Sequence, residues 1–123
     1  MRARLRHTDK RRLEKDFMSN NHKPVILINT FTLVPGKLDE FVELQAEQAR
    51  RNKANPVPGF QSGRMFRSVD GTKAVLVTSF DSIDAHKQLM ESDVFKEHRN
   101  RIRPLIQDAE PAYYELAYET ERL

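Results

Sequence analysis

Apolar residues run almost without a break from Pro24 to Gly36, where Val25, Ile26, Leu27, Ile28, Phe31 and Leu33 surround a single amide, Asn29. So continuous a run predicts a strand covered on both faces. After the Pro35-Gly36 turn, Leu38, Phe41, Val42, Gln45 and Ala49 recur at three- and four-residue spacing, with Glu40, Glu43 and Glu47 on other faces. That period predicts a helix from Lys37 to Ala54, which the prolines of Asn55-Pro56-Val57-Pro58-Gly59 end. Phe60 to Val69 reads as a second, less apolar strand, Asp70-Gly71 as a hairpin turn, and Lys73 to Phe80 as a third strand with Ala74 to Val77 again continuous.

Ser82 is placed to cap a helix through Met90, with Ile83, His86, Leu89 and Met90 on its inner side. Ser92-Asp93 offers a second cap, beyond which Val94, Phe95, His98, Ile102, Leu105 and Ile106 continue an apolar stripe. Pro111 then opens a last predicted strand. Ala112, Tyr114, Leu116 and Tyr118 make its apolar face, and Tyr113, Glu115, Ala117 and Glu119 its acidic one. The order β-α-β-β-α-β predicts an α+β, ferredoxin-like fold with both helices on one face of an antiparallel sheet. Strands one and three are apolar on both sides, so the other face also needs a cover. A second copy of the sheet supplies it, which predicts a homodimer.

The length of 123 residues suits one domain. We divide it into a basic extension, residues 1–23, and a folded domain, residues 24–121. Residues 1–17 hold seven Lys/Arg against three Asp/Glu, while the rest of the chain holds fourteen against fifteen, so the net charge of +3 resides in the extension. Its Arg4–Lys15 stretch can form a short helix, and Met18 resembles a natural start, so residues 1–17 are expected to be dispensable for folding. The absence of Cys excludes disulfides and thiolate chemistry. No run reaches the roughly 18–20 apolar residues of a membrane span, and no apolar segment follows the basic residues as in a secretory signal. A cytoplasmic protein with no membrane partner is expected.

Several chemistries lack their residues. There is no Gly-rich phosphate cradle, no metal spacing among the four His, and no nucleophile-elbow Ser. RNA-binding domains of this topology stack bases on aromatics of the central strands. Here the third strand reads KAVLVTSF, so no nucleic-acid partner is expected. What remains is Asn29. A buried amide must find partners or lose roughly 1–3 kcal/mol. Either the fold satisfies it, or it faces a cavity where a ligand does.

Three segments together resemble the antibiotic biosynthesis monooxygenase superfamily of dimeric α/β-barrel proteins. They are NTFTLVPGKLDEF, PGFQSGRMFRS and VLVTSFDSIDAHKQLMESDVFKEHRNRI. The SDVF segment is similar to the haem-degrading branch in particular. The resemblance implies a small monooxygenase that oxidises a quinol-like or aromatic substrate with dioxygen in a hydrophobic cleft, with no cofactor required. Its first alternative is haem binding and degradation by an Asn, a Trp and a His. Of that trio Asn falls on Asn29, Trp on Leu89 and the axial His on Arg99, with His98 next to it. The second alternative is a non-catalytic dimeric binding or stress protein.

The candidate catalytic residues are Asn29, to orient a substrate oxygen or dioxygen, and His86, a general base whose ordinary pKa suits proton abstraction. The candidate substrate-binding residues are Phe31, Phe80, Leu89, Arg64 and His98. Arg64 would grip an anionic group, and His98 would ligate iron only if haem binds. Tyr113, Tyr114 and Tyr118 read either as pocket-lining residues or as sheet-interface aromatics, with the interface the reading preferred.

Overall fold

The computed structural model describes residues 23–121. The predicted helix of the extension and the proposed start at Met18 lie outside the described residues. Strand β1 (Val25–Leu33) leads into helix α1 (Leu38–Ala54), strands β2 (Phe60–Arg67) and β3 (Lys73–Phe80), helices α2 (Ile83–Glu91) and α3 (Asp93–Ile102), a short 3-10 turn (Arg103–Leu105) and strand β4 (Ile106–Tyr114). The four strands form one antiparallel sheet in the order β2-β3-β1-β4. This is the ferredoxin-like arrangement expected, with its second helix divided in two.

The division is legible in one side chain. Ser92 Oγ accepts from Phe95 N as the cap of α3 and donates to Leu89 O at the end of α2. Ser82 caps α2 by accepting from Ala85 N. These bonds satisfy backbone groups that helix ends leave bare.

The expectation for β4 is corrected. The strand begins at Ile106, not at Pro111, and ends at Tyr114, so Leu116 and Tyr118 lie outside it. Pro111 sits opposite Asn29 in the ladder with β1. Proline is tolerated there because β4 is an edge strand, where an N–H can face solvent without loss of a ladder bond. The ladder, which shifts register between Thr32 and Leu33, sets the start of β4. Nothing in the polar sequence IQDAE marks it.

Side chains alternate across the sheet. Leu27, Asn29 and Phe31 of β1, with Ala74, Leu76, Thr78 and Phe80 of β3, share the face covered by helices. The core gathers at one end of that face, where Phe31, Leu33, Leu38, Phe41, Ala74, Ile102 and Leu105 pack together. Phe41 is fully buried, its ring 4.8 Å from that of Phe31. At the other end β2 meets α2 closely. A Cβ on Gly59 would overlap that of Ala85, and Gly59 has φ +78°, so only glycine fits.

The second face carries Ile26, Ile28, Val75, Val77, Phe66 and Tyr114. Phe66 and Tyr114 are half exposed at 52% and 50%.

Candidate functional site

Asn29 lies mid-strand on the helix-covered face, paired with Leu76 on one side and Pro111 on the other. Its Oδ1 is buried and has no hydrogen-bond partner. Of the two outcomes open at Asn29, the protein's own described groups do not supply the first. The unmet acceptor faces the layer between sheet and helices.

The period of α2 turns His86 inward, where it is 9% exposed. Its Nδ1 lies 2.6 Å from the Tyr113 hydroxyl. The Phe80 ring stands 4.9 Å away and the Tyr113 ring 5.5 Å away, edge-on. Phe60 packs edge-on against Phe80 at 5.9 Å. Burial lowers the pKa of His86, so the imidazole is neutral at pH 7. Burial raises that of Tyr113, which keeps its proton.

Tyr113 stands opposite Leu27 in the β1–β4 ladder. Leu27 is two residues from Asn29 on the same face. Such diagonal neighbours lie about 7–8 Å apart. The fold therefore brings Asn29 and the His86–Tyr113 pair to one region of one face. Tyr113 is the residue for which the sequence favoured the sheet interface over the pocket. Strand alternation counted from Pro111 assigned it to the acidic face. The signal that finds it is the pairing with β1, which puts Tyr113 on the Leu27 side and Tyr114 with Ile26 on the other.

The remaining candidates separate. Phe31 is core at 5% exposure, and Phe80 at 2% is the wall beside His86. Leu89 is half-buried on α2. Arg64 is corrected: Met65 faces the helices beside Leu76, so Arg64, opposite Val77, points to the open face away from Asn29. His98 is not the half-exposed residue its charged neighbours suggest. It is 5% exposed, with Nε2 2.6 Å from Gln45 Oε1 of α1. Gln45 was visible as the one polar member of the α1 apolar stripe. The residues present do not fit a haem. The nitrogen of His98 that an iron would need is held by Gln45 between two helices, Leu89 stands at the Trp position, and the chain has no Trp.

Burial also lowers the pKa of His98, helped by the charges of Arg101 and Arg51 and opposed by Glu47. Both imidazoles thus have folded pKa values below the ordinary 6.5. In the acid range the unfolded chain binds more protons, so the contribution to stability is complete above that value and is lost as pH falls. The melting temperature is expected to drop on acidification below about pH 6.5. His98→Gln should weaken that drop. A histidine-independent slope in thermal melts would contradict the assignment.

Of the two surface concavities described, one of about 400 Å³ lies between Gly36, Asp39, Arg67 and Gly71. The other, about 270 Å³, lies among Val25, Ile26, Ser79 and Leu116. Neither is lined by Asn29 or His86. Among the described residues no group of three or more His, Asp or Glu could hold a metal ion, and no helix is long and apolar enough to cross a membrane.

A ferredoxin-like sheet with an unmet amide and an aromatic-walled His–Tyr pair beneath two inner helices defines a small α+β protein built around one buried polar position. The antibiotic biosynthesis monooxygenase family profile matches residues 24–101, and the chain belongs to that family. Its fold is similar to that of SnoaB, a cofactor-independent oxygenase from Streptomyces nogalater. The TM-score is 0.70 at 22% identity, over 81% of this chain and 99% of that one. A Caulobacter crescentus protein assigned as an antibiotic biosynthesis monooxygenase aligns with TM-score 0.71 at 21% identity, over 85% and 99% of the two chains. One from Nitrosomonas europaea aligns with TM-score 0.68 at 16% identity, over 82% and 96%. No protein of curated function matches the sequence significantly.

Proposed function

We propose that the protein is a monooxygenase that oxidises a reduced, quinol-like or hydroxyaromatic substrate with dioxygen and needs no flavin, haem or metal. The observation that carries this reading is the unpartnered Oδ1 of Asn29 beside the His86–Tyr113 pair. The substrate itself is the reductant. Loss of one proton gives an electron-rich anion that passes an electron to dioxygen. Recombination forms a carbon–oxygen bond. Loss of water leaves one oxygen in the product as a carbonyl and sends the other, with the hydrogen of the reacting carbon and the proton of the ring hydroxyl, to water. Dioxygen gains the four electrons that the substrate loses.

The protein's part is binding, orientation and proton movement. Asn29 Oδ1 accepts a hydroxyl of the substrate and fixes its ring. Tyr113 Oη receives the substrate proton as its own proton passes across 2.6 Å to Nδ1 of neutral His86. Phe80 and Phe60 keep water from the anion, which strengthens these contacts. The test is oxygen uptake with a panel of hydroquinones, naphthols and anthrones, using isotopically labelled dioxygen. One labelled atom in the product, with turnover reduced tenfold or more in Tyr113→Phe, is the expected result. Uptake no faster than in buffer across the panel overturns the reading in favour of a binding protein.

The same reading includes a cytoplasmic homodimer through the open sheet face. Half-exposed Phe66 and Tyr114 flank the apolar residues Ile26, Ile28, Val75 and Val77 on that face, which a second sheet would bury. Light scattering should give about twice the 14.4 kDa chain mass, and Phe66→Lys should shift it toward the monomer. A concentration-independent monomer rules the dimer out.

A further inference from the structure

Charge is sorted along this chain into three zones. Residues 1–17 carry seven Lys/Arg against three Asp/Glu, and residues 18–105 carry thirteen against ten. Residues 106–121 carry five acidic side chains, Asp108, Glu110, Glu115, Glu119 and Glu121, and no basic one. The excess of cations in the extension is therefore repelled on balance by the body of the domain and attracted by its last stretch. Among the described residues none of those five carboxylates is in an ion pair, although Glu40, Glu43, Glu47 and Asp39 of α1 all are.

Apolar surface lies open beside the same stretch. Residues 115–121 follow β4, belong to no helix or strand and are exposed throughout, with Leu116 at 64% and Tyr118 at 80%. Glu115 and Leu116 line the concavity of about 270 Å³, together with Pro24, Ile26 and Ser79. Ser79 stands opposite Ile26 on the open face, at the end of the sheet where β1 begins. The extension thus joins the domain at the rim of this concavity, since Pro24 is part of its wall. Among its basic residues the extension carries Leu5, Leu13 and Phe17. Phe17 precedes Pro24 by seven residues, at most about 25 Å of chain and enough to turn back on it. Ile28, Val75 and Val77 do not line the concavity and stay available to a second copy of the sheet.

We propose that the basic extension docks on the acidic C-terminal stretch of its own chain. Phe17 fills the concavity beside Leu116, and the extension's Lys/Arg residues lie against Glu115, Glu119 and Glu121. Apolar contact fixes the place and charge complementarity selects the partner. Exposed ion pairs add little to stability, so the docked extension remains dispensable for folding. They are also screened by salt, which makes the docking reversible by ionic strength. The inference does not depend on the oxygenase reading.

The test is hydrogen exchange of the full chain, read by mass spectrometry over residues 115–121. At about 10 mM salt their amides should exchange at least about threefold more slowly in wild type than in the full-length triple variant Arg11→Glu, Arg12→Glu, Lys15→Glu. The difference should vanish near 1 M salt, where the screening length falls from about 30 Å to about 3 Å. The triple variant Glu115→Lys, Glu119→Lys, Glu121→Lys should lose the protection too, and combining both sets should restore it, with circular dichroism confirming that each variant is folded. Equal exchange in wild type and the extension variant at low salt overturns the inference, as does a combined variant left unprotected. Carbodiimide cross-linking of mixed heavy- and light-isotope protein should join Lys10 or Lys15 to these glutamates within one chain. Links found only between heavy and light chains overturn docking on the same chain.

Discussion

Asn29→Leu is expected to make the protein more stable and nearly inactive at once. The replaced Oδ1 is buried without a partner, so it costs the folded chain free energy that leucine, of similar size, does not. A gain of about 1 kcal/mol, a few degrees in melting temperature, follows. Turnover of a hydroxyaromatic should fall tenfold or more, because about 1.4 kcal/mol of lost orientation suffices. Stability and activity moving in opposite directions is the signature of a residue retained for its ligand. A destabilised Asn29→Leu protein would show that the amide has a structural partner, and a stable variant with full turnover would remove it from the site.

Phe41→Ala is expected to give the largest loss of stability. The side chain is fully buried at the junction of α1, β1 and the turn after α3, with the Phe31 ring against it. Truncation of such a phenylalanine costs about 3–5 kcal/mol, a large part of the 5–15 kcal/mol of a typical domain. Urea unfolding followed by circular dichroism should show the midpoint collapse with the slope unchanged. A loss under about 1 kcal/mol would mean that this end of the sheet repacks freely.

These residues were not equally legible in the sequence. Strands β1 and β3 and helix α1 announce themselves because apolar period follows burial, and the capping serines Ser82 and Ser92 mark both helix starts. Asn29 stands out because an amide is conspicuous in an apolar run. The start of β4 is hidden because an edge strand needs backbone partners more than apolar side chains, and Pro111 looks like a boundary when it is only an edge. Tyr113 was assigned to the wrong face because Leu116 and Tyr118, which lie beyond the strand, made its own set of alternate positions look like the polar one. The burial of His98 depended on Gln45, a partner 53 residues away that no local pattern can name. Arg64 needed the register of β2 against β3 before its face was known.

Pro111 has a consequence for assembly as well as for register. A sheet extended edge to edge into an open-ended ribbon needs a pairing-competent strand at both of its margins. Here the margins are β2 and β4. A proline in the middle of β4 removes a donor that an incoming strand would require. Only β2 is left to recruit a neighbour by strand pairing, and β2 joined to β2 of another molecule leaves the joined sheet no further free β2 edge. Ribbon growth through β4 is thereby disfavoured, and replacing Pro111 with a β-former such as valine is expected to increase fibre formation at high concentration.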